Sequence, residues 1–153
     1  MRTKVSNYFE SKVRIEKMQE DGTTAKINEM FVIDAMSFSE VEARVIKYVT
    51  MYNSGEFEVL TEVRAKYKEI FFSDKDAEEK YYRAQVSFIT LDEKSGREKR
   101  SKNTYLVQGS SIESARKNID EVMAGSMVDY VIESLAESAV VDIITDAEKT
   151  QEQ

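Results

Sequence analysis

Apolar and polar residues alternate from the first strand-like segment of the chain. Phe9, Ser11, Val13 and Ile15 share one parity, and Glu10, Lys12, Arg14 and Glu16 share the other, which predicts a half-buried strand over residues 8–17. Glu20-Asp21-Gly22-Thr23 reads as a hairpin turn. Lys26 to Asp34 returns as a second strand carrying Met30, Phe31, Val32 and Ile33. The period then changes. Ser37-Phe38-Ser39-Glu40 predicts a capping box, and Phe38, Val41, Val45, Ile46, Val49 and Tyr52 follow at helical spacing. Asn53-Ser54-Gly55 ends that helix. Phe57, Val59, Thr61, Val63, Ala65 and Tyr67 form one face of a long strand, with Leu60, Glu62, Arg64, Lys66 and Lys68 on the other. Ile70-Phe71-Phe72 closes the segment.

The same order then recurs. Tyr82, Ala84, Val86 and Phe88 predict the inward face of a strand, Asp92-Glu93-Lys94-Ser95-Gly96 a turn, and Tyr105-Leu106-Val107 part of the return strand. Ser110 with Glu113 offers a second capping box. Ile112, Ala115, Ile119, Val122 and Met123 make a helical stripe that Gly125 ends, and a final strand fills residues 128–144. An offset of about 73–74 residues carries Tyr8 onto Tyr81, Val13 onto Val86 and Phe57 onto Tyr130. The fold expected is therefore α+β: tandem duplicated ββαβ units forming an antiparallel sheet of about six strands, with two helices packed on one face. The units are residues 1–72 and 81–145, joined by a charged, solvated connector at 73–80 and followed by a polar tail at 146–153. Units this small are expected to share one core.

Composition narrows the chemistry more than the fold. The chain of 153 residues holds no cysteine and no histidine, so thiolate catalysis, disulfides and the commonest general base are missing. Ser110, within Gly109-Ser110-Ser111, would need a lysine as base, and its cap role explains it more simply. Among the acid pairs, Glu40 with Glu42 suits a helix start, and Asp74 to Glu79, with its pairs Asp74/Asp76 and Glu78/Glu79, lacks the spacing and glycine of a cation-binding loop. No phosphate-cradling glycine loop is present. The expectation is a protein without catalytic residues, metal or cofactor. No apolar run reaches the ~20 residues of a membrane span, and the first residues lack a signal-peptide core, so a cytoplasmic location is expected.

The formal net charge of −7 argues against generic attraction to nucleic acid, but basic residues cluster locally. Lys94 to Lys102 holds Lys94, Arg97, Lys99, Arg100 and Lys102 against Glu98 alone. Lys12, Arg14, Arg64, Lys66, Lys68 and Arg83 fall on the outward parity of their strands, with Tyr8 and Tyr81 near them. Basic groups beside aromatics on an open sheet are a way to clamp phosphates and stack bases. The plainer readings are cross-strand ion pairs with Glu10, Glu16 and Glu62, and a lysine-protected hairpin. Apolar and aromatic residues of outward parity, such as Tyr8, Leu60 and Ile89, suggest self-association.

Several long segments carry a family resemblance. Phe9-Glu10-Ser11-Lys12-Val13-Arg14, Asp34-Ala35-Met36-Ser37-Phe38-Ser39-Glu40, Arg64-Ala65-Lys66-Tyr67-Lys68-Glu69-Ile70-Phe71-Phe72 and Phe88-Ile89-Thr90-Leu91-Asp92-Glu93-Lys94-Ser95-Gly96 resemble the family called domain of unknown function 4494. The resemblance spans about residues 8–144. It implies a setting in gut anaerobes and their tailed, crAss-like phages, and it implies no catalytic residue. An aromatic difference at Tyr8, where a tryptophan is often expected, is conservative.

Together these features lead to an expected function: a non-enzymatic, phage-associated homo-oligomer. It would gather a nucleotide or single-stranded nucleic acid on Lys12, Arg14, Arg64, Lys66, Arg83, Arg97, Lys99 and Arg100. The alternative is an acidic adaptor or decoy that binds a host or phage protein through Asp74 to Glu79, the acidic helix residues and the acidic C-terminal stretch. No membrane partner is expected.

Overall fold

Eleven elements carry the chain in the computed structural model, which describes residues 1–53 and 55–145. They are β1 (Arg2–Lys4), β2 (Tyr8–Met18), β3 (Thr24–Asp34), α1 (Phe38–Tyr52), β4 (Phe57–Ala65), β5 (Glu69–Phe72), β6 (Lys80–Leu91), β7 (Glu98–Gly109), α2 (Ile112–Met123), β8 (Asp129–Glu137) and β9 (Val140–Ile144). The fold is α+β, with two helices and two mixed sheets among the described residues. One sheet has the order β1-β5-β7-β6-β8, the other β4-β2-β3-β9. This replaces the single antiparallel sheet expected from the sequence. The residues expected to form a polar tail, 146–153, lie outside the described residues, as does Ser54 of the helix stop.

The sheets are mixed because each takes in a strand from elsewhere in the chain. β9 pairs in parallel with β3, and β5 pairs in parallel with β7. The segment Ile70-Phe71-Phe72, expected to close the first unit, is thus built into the sheet of β6 and β7. The long strand expected at 128–144 is two strands, β8 and β9. The described chain accordingly divides into a β2 unit, made of Ser6–Ala65 and residues 139–145, and a β6 unit, made of Met1–Val5 and Lys66–Ser138. The connector expected at 73–80 belongs to the β6 unit.

In the β2 unit, Phe9, Val13 and Ile15 from β2, Phe31 and Ile33 from β3, and Val41, Val45 and Val49 from α1 are buried together with Ile144. The valines recur every four residues, so one stripe of α1 covers the sheet. Each fully buried Phe or Ile of this kind contributes about 1.5–3 kcal/mol. In the β6 unit, Phe71, Tyr82, Ala84, Val86, Tyr105 and Val107 pack with Ala115, Ile119 and Met123 of α2. Each helix thus covers one apolar cluster on its own sheet. β9 is fastened to its unit by a side-chain bond as well: Tyr48 Oη on α1 donates to Asp142 on β9. Burial first, then the Asp142 carboxylate, pushes the Tyr48 hydroxyl far above its usual pKa.

The helix starts follow the sequence closely, with one displacement. Ser37 Oγ accepts the Glu40 amide at 3.2 Å, and Glu40 reaches back to the Met36 amide at 3.3 Å. On α2 the cap is Ser111, not Ser110. Its Oγ accepts the Ser114 amide at 3.1 Å, while Ser114 Oγ accepts the Ser111 amide at 3.0 Å. A serine hydroxyl at the third helical position closes the box as the expected Glu113 would have done.

Each sheet carries one bulge beside its central strand. Opposite Lys12 and Val13 stand Thr61 and Val59, which leaves Leu60 unopposed; opposite Gln85 and Val86 stand Ser134 and Ile132, which leaves Glu133 unopposed. An extra residue reverses the side to which every later residue of that strand points. The expected two faces of residues 57–68 are therefore correct only up to Val59. Beyond the bulge Glu62 and Arg64 lie on the helix side, level with Ser11 and Phe9, and Val63 lies outside at 50% exposure.

Two buried polar groups make the packing testable. Ser11 is fully buried on the helix side of β2, and its Oγ has no hydrogen-bond partner among the described residues. Ala84 stands at the matching place in β6. Ser11→Ala should raise stability in urea denaturation by roughly 1 kcal/mol, since an unpaired buried hydroxyl costs about 1–3 kcal/mol. A clear loss of stability would show that the hydroxyl is bonded. Glu78 behaves in the opposite way. It is buried, accepting Ser73 Oγ at 2.6 Å and Asn118 Nδ2 at 3.0 Å, while Asn118 also donates to the Gln108 carbonyl at 2.8 Å. Burial raises the Glu78 pKa, but the Ser73, Asn118 and Ser114 bonds outweigh it and hold the carboxyl below its ordinary value. The stability this gives is present above the unfolded carboxyl's pKa and is lost as pH falls through the folded one. Glu78→Gln should therefore cost roughly 1–3 kcal/mol near neutral pH. The gap to the wild type should close in acid, as read by thermal melts across pH.

Candidate nucleic-acid interface

The β6–β7 hairpin is built around its turn. Gly96 adopts φ +69, a left-handed conformation that favours glycine. Asp92 organises the tip: its carboxylate accepts the Lys94 amide at 3.0 Å and Ser95 Oγ at 3.2 Å, and its carbonyl accepts the Gly96 amide at 2.8 Å. Asp92 is thus engaged in shaping the loop, and Glu93 is the turn's other acid.

Two strands lead away from this tip. Leu91 pairs with Glu98, Thr90 with Lys99, Ile89 with Arg100, and Ser87 with Lys102. β8 stops pairing with β6 at Ile89, and β5 pairs with β7 only from Tyr105. The end of the hairpin is consequently a two-stranded ribbon, and every residue from Thr90 to Lys102 is exposed. Alternation puts Arg100 and Lys102 on one face with Arg83, and Lys99 on the other. Lys68 joins that second face, its Nζ standing 5.9 Å from the centre of the Phe88 ring. Among the ribbon cations Arg100 bonds an acid, Glu133, at 3.2 Å. Arg97, Lys99 and Lys102 have no ion-pair partner among the described residues.

Other basic residues singled out in the sequence fall elsewhere. Lys12 and Arg14 are exposed on the outer face of β2. Arg14 lines a pocket of about 90 Å³ with Glu16, Glu56, Glu58 and Lys26, so it shares its surroundings with acids. Arg64 does not join them. The bulge at Leu60 turns it to the helix side, where its guanidinium lies 5.3 Å from the Phe9 ring centre and 5.5 Å from that of Phe38. Lys66 is exposed just past the end of β4. The stacking aromatics are withdrawn as well: Tyr8 is 3% exposed and Tyr81 6%. The expected basic and aromatic sheet face is therefore not assembled, whereas Arg97, Lys99 and Arg100 are brought together, with Lys102 and Lys68 added. Lys102 was legible from its parity with Arg100. The position of Lys68 was not, because it depends on where β5 pairs.

The acids of the connector are partly engaged. Glu78 is buried, and Arg2 Nε stands 3.9 Å from Asp74. Among the described residues no three acids converge in a way that could hold a metal ion, and no helix is long and apolar enough to cross a membrane.

Comparison with curated proteins and with solved structures gives no match. A family model does match, over residues 7–146, and it takes in both sheets from β2 to β9 and the ribbon between β6 and β7. The chain belongs to the family described as Domain of unknown function (DUF4494).

Proposed function

We propose that this protein binds nucleic acid without altering it, using the β6–β7 ribbon as an electrostatic grip on the phosphate backbone. One observation carries the reading: Arg97, Lys99, Arg100 and Lys102 project from a fully exposed ribbon, on which Asp92 is already engaged and Glu93 and Glu98 are the remaining acids. The net charge of −7 opposes binding only weakly at this place. At physiological salt, charges more than about 8 Å away are largely screened, so local cations decide. The form of the ribbon favours a duplex. A two-stranded β-ribbon fits a nucleic-acid groove. Single strands and free nucleotides gain much of their affinity from stacking on aromatics, about 1–3 kcal/mol per base. Residues 90–102 contain no aromatic, and Tyr8 and Tyr81 are buried.

Two further parts of the reading go with it. We take the chain to be a tandem duplication. Support comes from the common strand order of β4-β2-β3-β9 and β8-β6-β7-β5, and from bulges at positions 73 residues apart, Leu60 and Glu133. The duplication then has a use, because one hairpin is basic while its counterpart, with Glu20 and Asp21, is acidic. The setting is the cytoplasm of a bacterial host of a phage, as the family resemblance implies. The acidic adaptor reading has less to stand on, since Glu78 is buried and Asp74 lies beside Arg2.

A fluorescent duplex of mixed sequence and its separate strands, titrated at several salt concentrations, test the reading. The duplex should bind at low salt at least as tightly as either strand. The log–log slope against salt should be roughly −3 to −4, as for about four phosphate contacts. Reversal of Arg97, Lys99 and Lys102 to Glu should abolish binding without lowering the melting temperature. No binding at low salt, or binding that survives the triple reversal, would overturn the proposal.

A further inference from the structure

Each sheet ends beside its helix on a nine-residue edge strand, β4 in one unit and β8 in the other. An edge strand presents unpaired backbone groups to any chain that can pair with it. Beside β8 the edge is also hollow. A groove of about 580 Å³ runs between β8 and α2, lined among others by Ile112, Arg116, Asp120, Tyr130, Ile132 and Leu135. Ile112 is 53% exposed in it. The acids of the groove are already engaged: Tyr130 Oη donates to Asp120 at 2.7 Å, and Arg100 bonds Glu133 at 3.2 Å. Arg116 has no ion-pair partner among the described residues. The groove therefore offers an apolar wall, a strand edge and one available guanidinium.

The β4 edge carries the complement. Four residues apart on α1, Phe38, Glu42 and Ile46 take the places that Ile112, Arg116 and Asp120 hold on α2. Glu62 on β4 lies on the helix side. Neither Glu42 nor Glu62 has an ion-pair partner among the described residues. Burial, and then repulsion from Glu42, pushes the Glu62 carboxyl above its usual pKa. Phe38 and Ile46 are exposed around them.

We propose that the β4–α1 edge of one copy docks on the β8–α2 groove of a second copy, continuing the sheet and bringing Glu42 and Glu62 to Arg116. Pairing of like edges is disfavoured. Two β4 edges would gather four unpaired carboxylates from Glu42 and Glu62, and two β8 edges would face Arg116 with Arg116. The contact joins different surfaces, so every copy has one of each to offer. Such a head-to-tail contact closes into a ring or extends as a filament. Of the ribbon cations only Arg100 touches the groove, through Glu133, and the contact does not rest on nucleic-acid binding.

Native mass spectrometry and light scattering of the full chain give the test. The wild type should form species larger than one copy. Arg116→Glu alone and the double variant Glu42→Arg/Glu62→Arg alone should each weaken association roughly tenfold or more. Mixing the two variants should restore it, with the two chains alternating in equal amounts. If either reversal unfolds the chain, Arg116→Gln and Glu62→Gln provide milder versions with the same expected direction. A wild type that stays single over the whole concentration range, association unaffected by these variants, or a mixture that fails to recover would each overturn the proposal. So would a single-copy wild type whose groove takes up an acidic strand peptide, which would assign the groove to a foreign partner.

Discussion

The parallel pairing of β9 with β3 and of β5 with β7 is the constraint on which the rest of the structure depends. It follows from the lengths of two connections. β4 is parallel to β3, and β8 to β7, because one antiparallel neighbour stands between each pair. To continue in parallel beside its own sheet, the chain would need a crossover of a dozen or more residues. Only residues 66–68 separate β4 from β5, and only 138–139 separate β8 from β9. Neither link can make that return, so each last strand joins the other unit's sheet. Without them β3 and β7 would be open edges carrying Phe31, Val32, Leu106 and Val107, which are fully buried. Neither unit is a continuous stretch of chain, and both must form for either to be complete.

The bulges are the second determinant, and they decide what each surface can do. At Leu60 the extra residue moves Arg64 from the outer face, where it would have added to Lys12 and Arg14, onto the rings of Phe9 and Phe38. It also turns Glu62 toward α1, which creates the carboxylate pair with Glu42. At Glu133 the equivalent irregularity supplies the carboxylate that meets Arg100. Charge is thus distributed by backbone register as much as by composition. Arg97, Lys99, Arg100 and Lys102 are gathered on one ribbon, while Glu42 and Glu62 lie at the β4 edge and Arg116 beside β8.

Much of the local structure is legible in the sequence, because local structure depends on near neighbours. The alternation of Phe9 to Ile15 and of Tyr82 to Phe88 marks strands whose inward faces are buried as expected, and the valine stripe of α1 and the Ser37 cap lie where spacing puts them. What is hidden depends on pairing at long range. Ile70-Phe71-Phe72 reads simply as an apolar strand, and nothing in those residues says which sheet receives it. A bulge leaves no compositional mark either: Val59-Leu60-Thr61 fits an uninterrupted alternation just as well. Both errors reached the site. Continued alternation put Arg64 and Lys66 with Lys12, and outward parity made Tyr8 and Tyr81 seem available for stacking although both are buried. The ribbon was legible because a hairpin is local and its cations lie within one turn of chain.

The exchange of last strands is most directly tested by backbone NOEs in the full-length protein labelled for NMR. The account predicts cross-strand NOEs between Ile70 and Leu106 and between Val32 and Ile143, the partners in the two parallel ladders. NOEs linking Ile70 to Val32, and Leu106 to Ile143, would instead mean that each half keeps its own last strand. That result would contradict the account at its base.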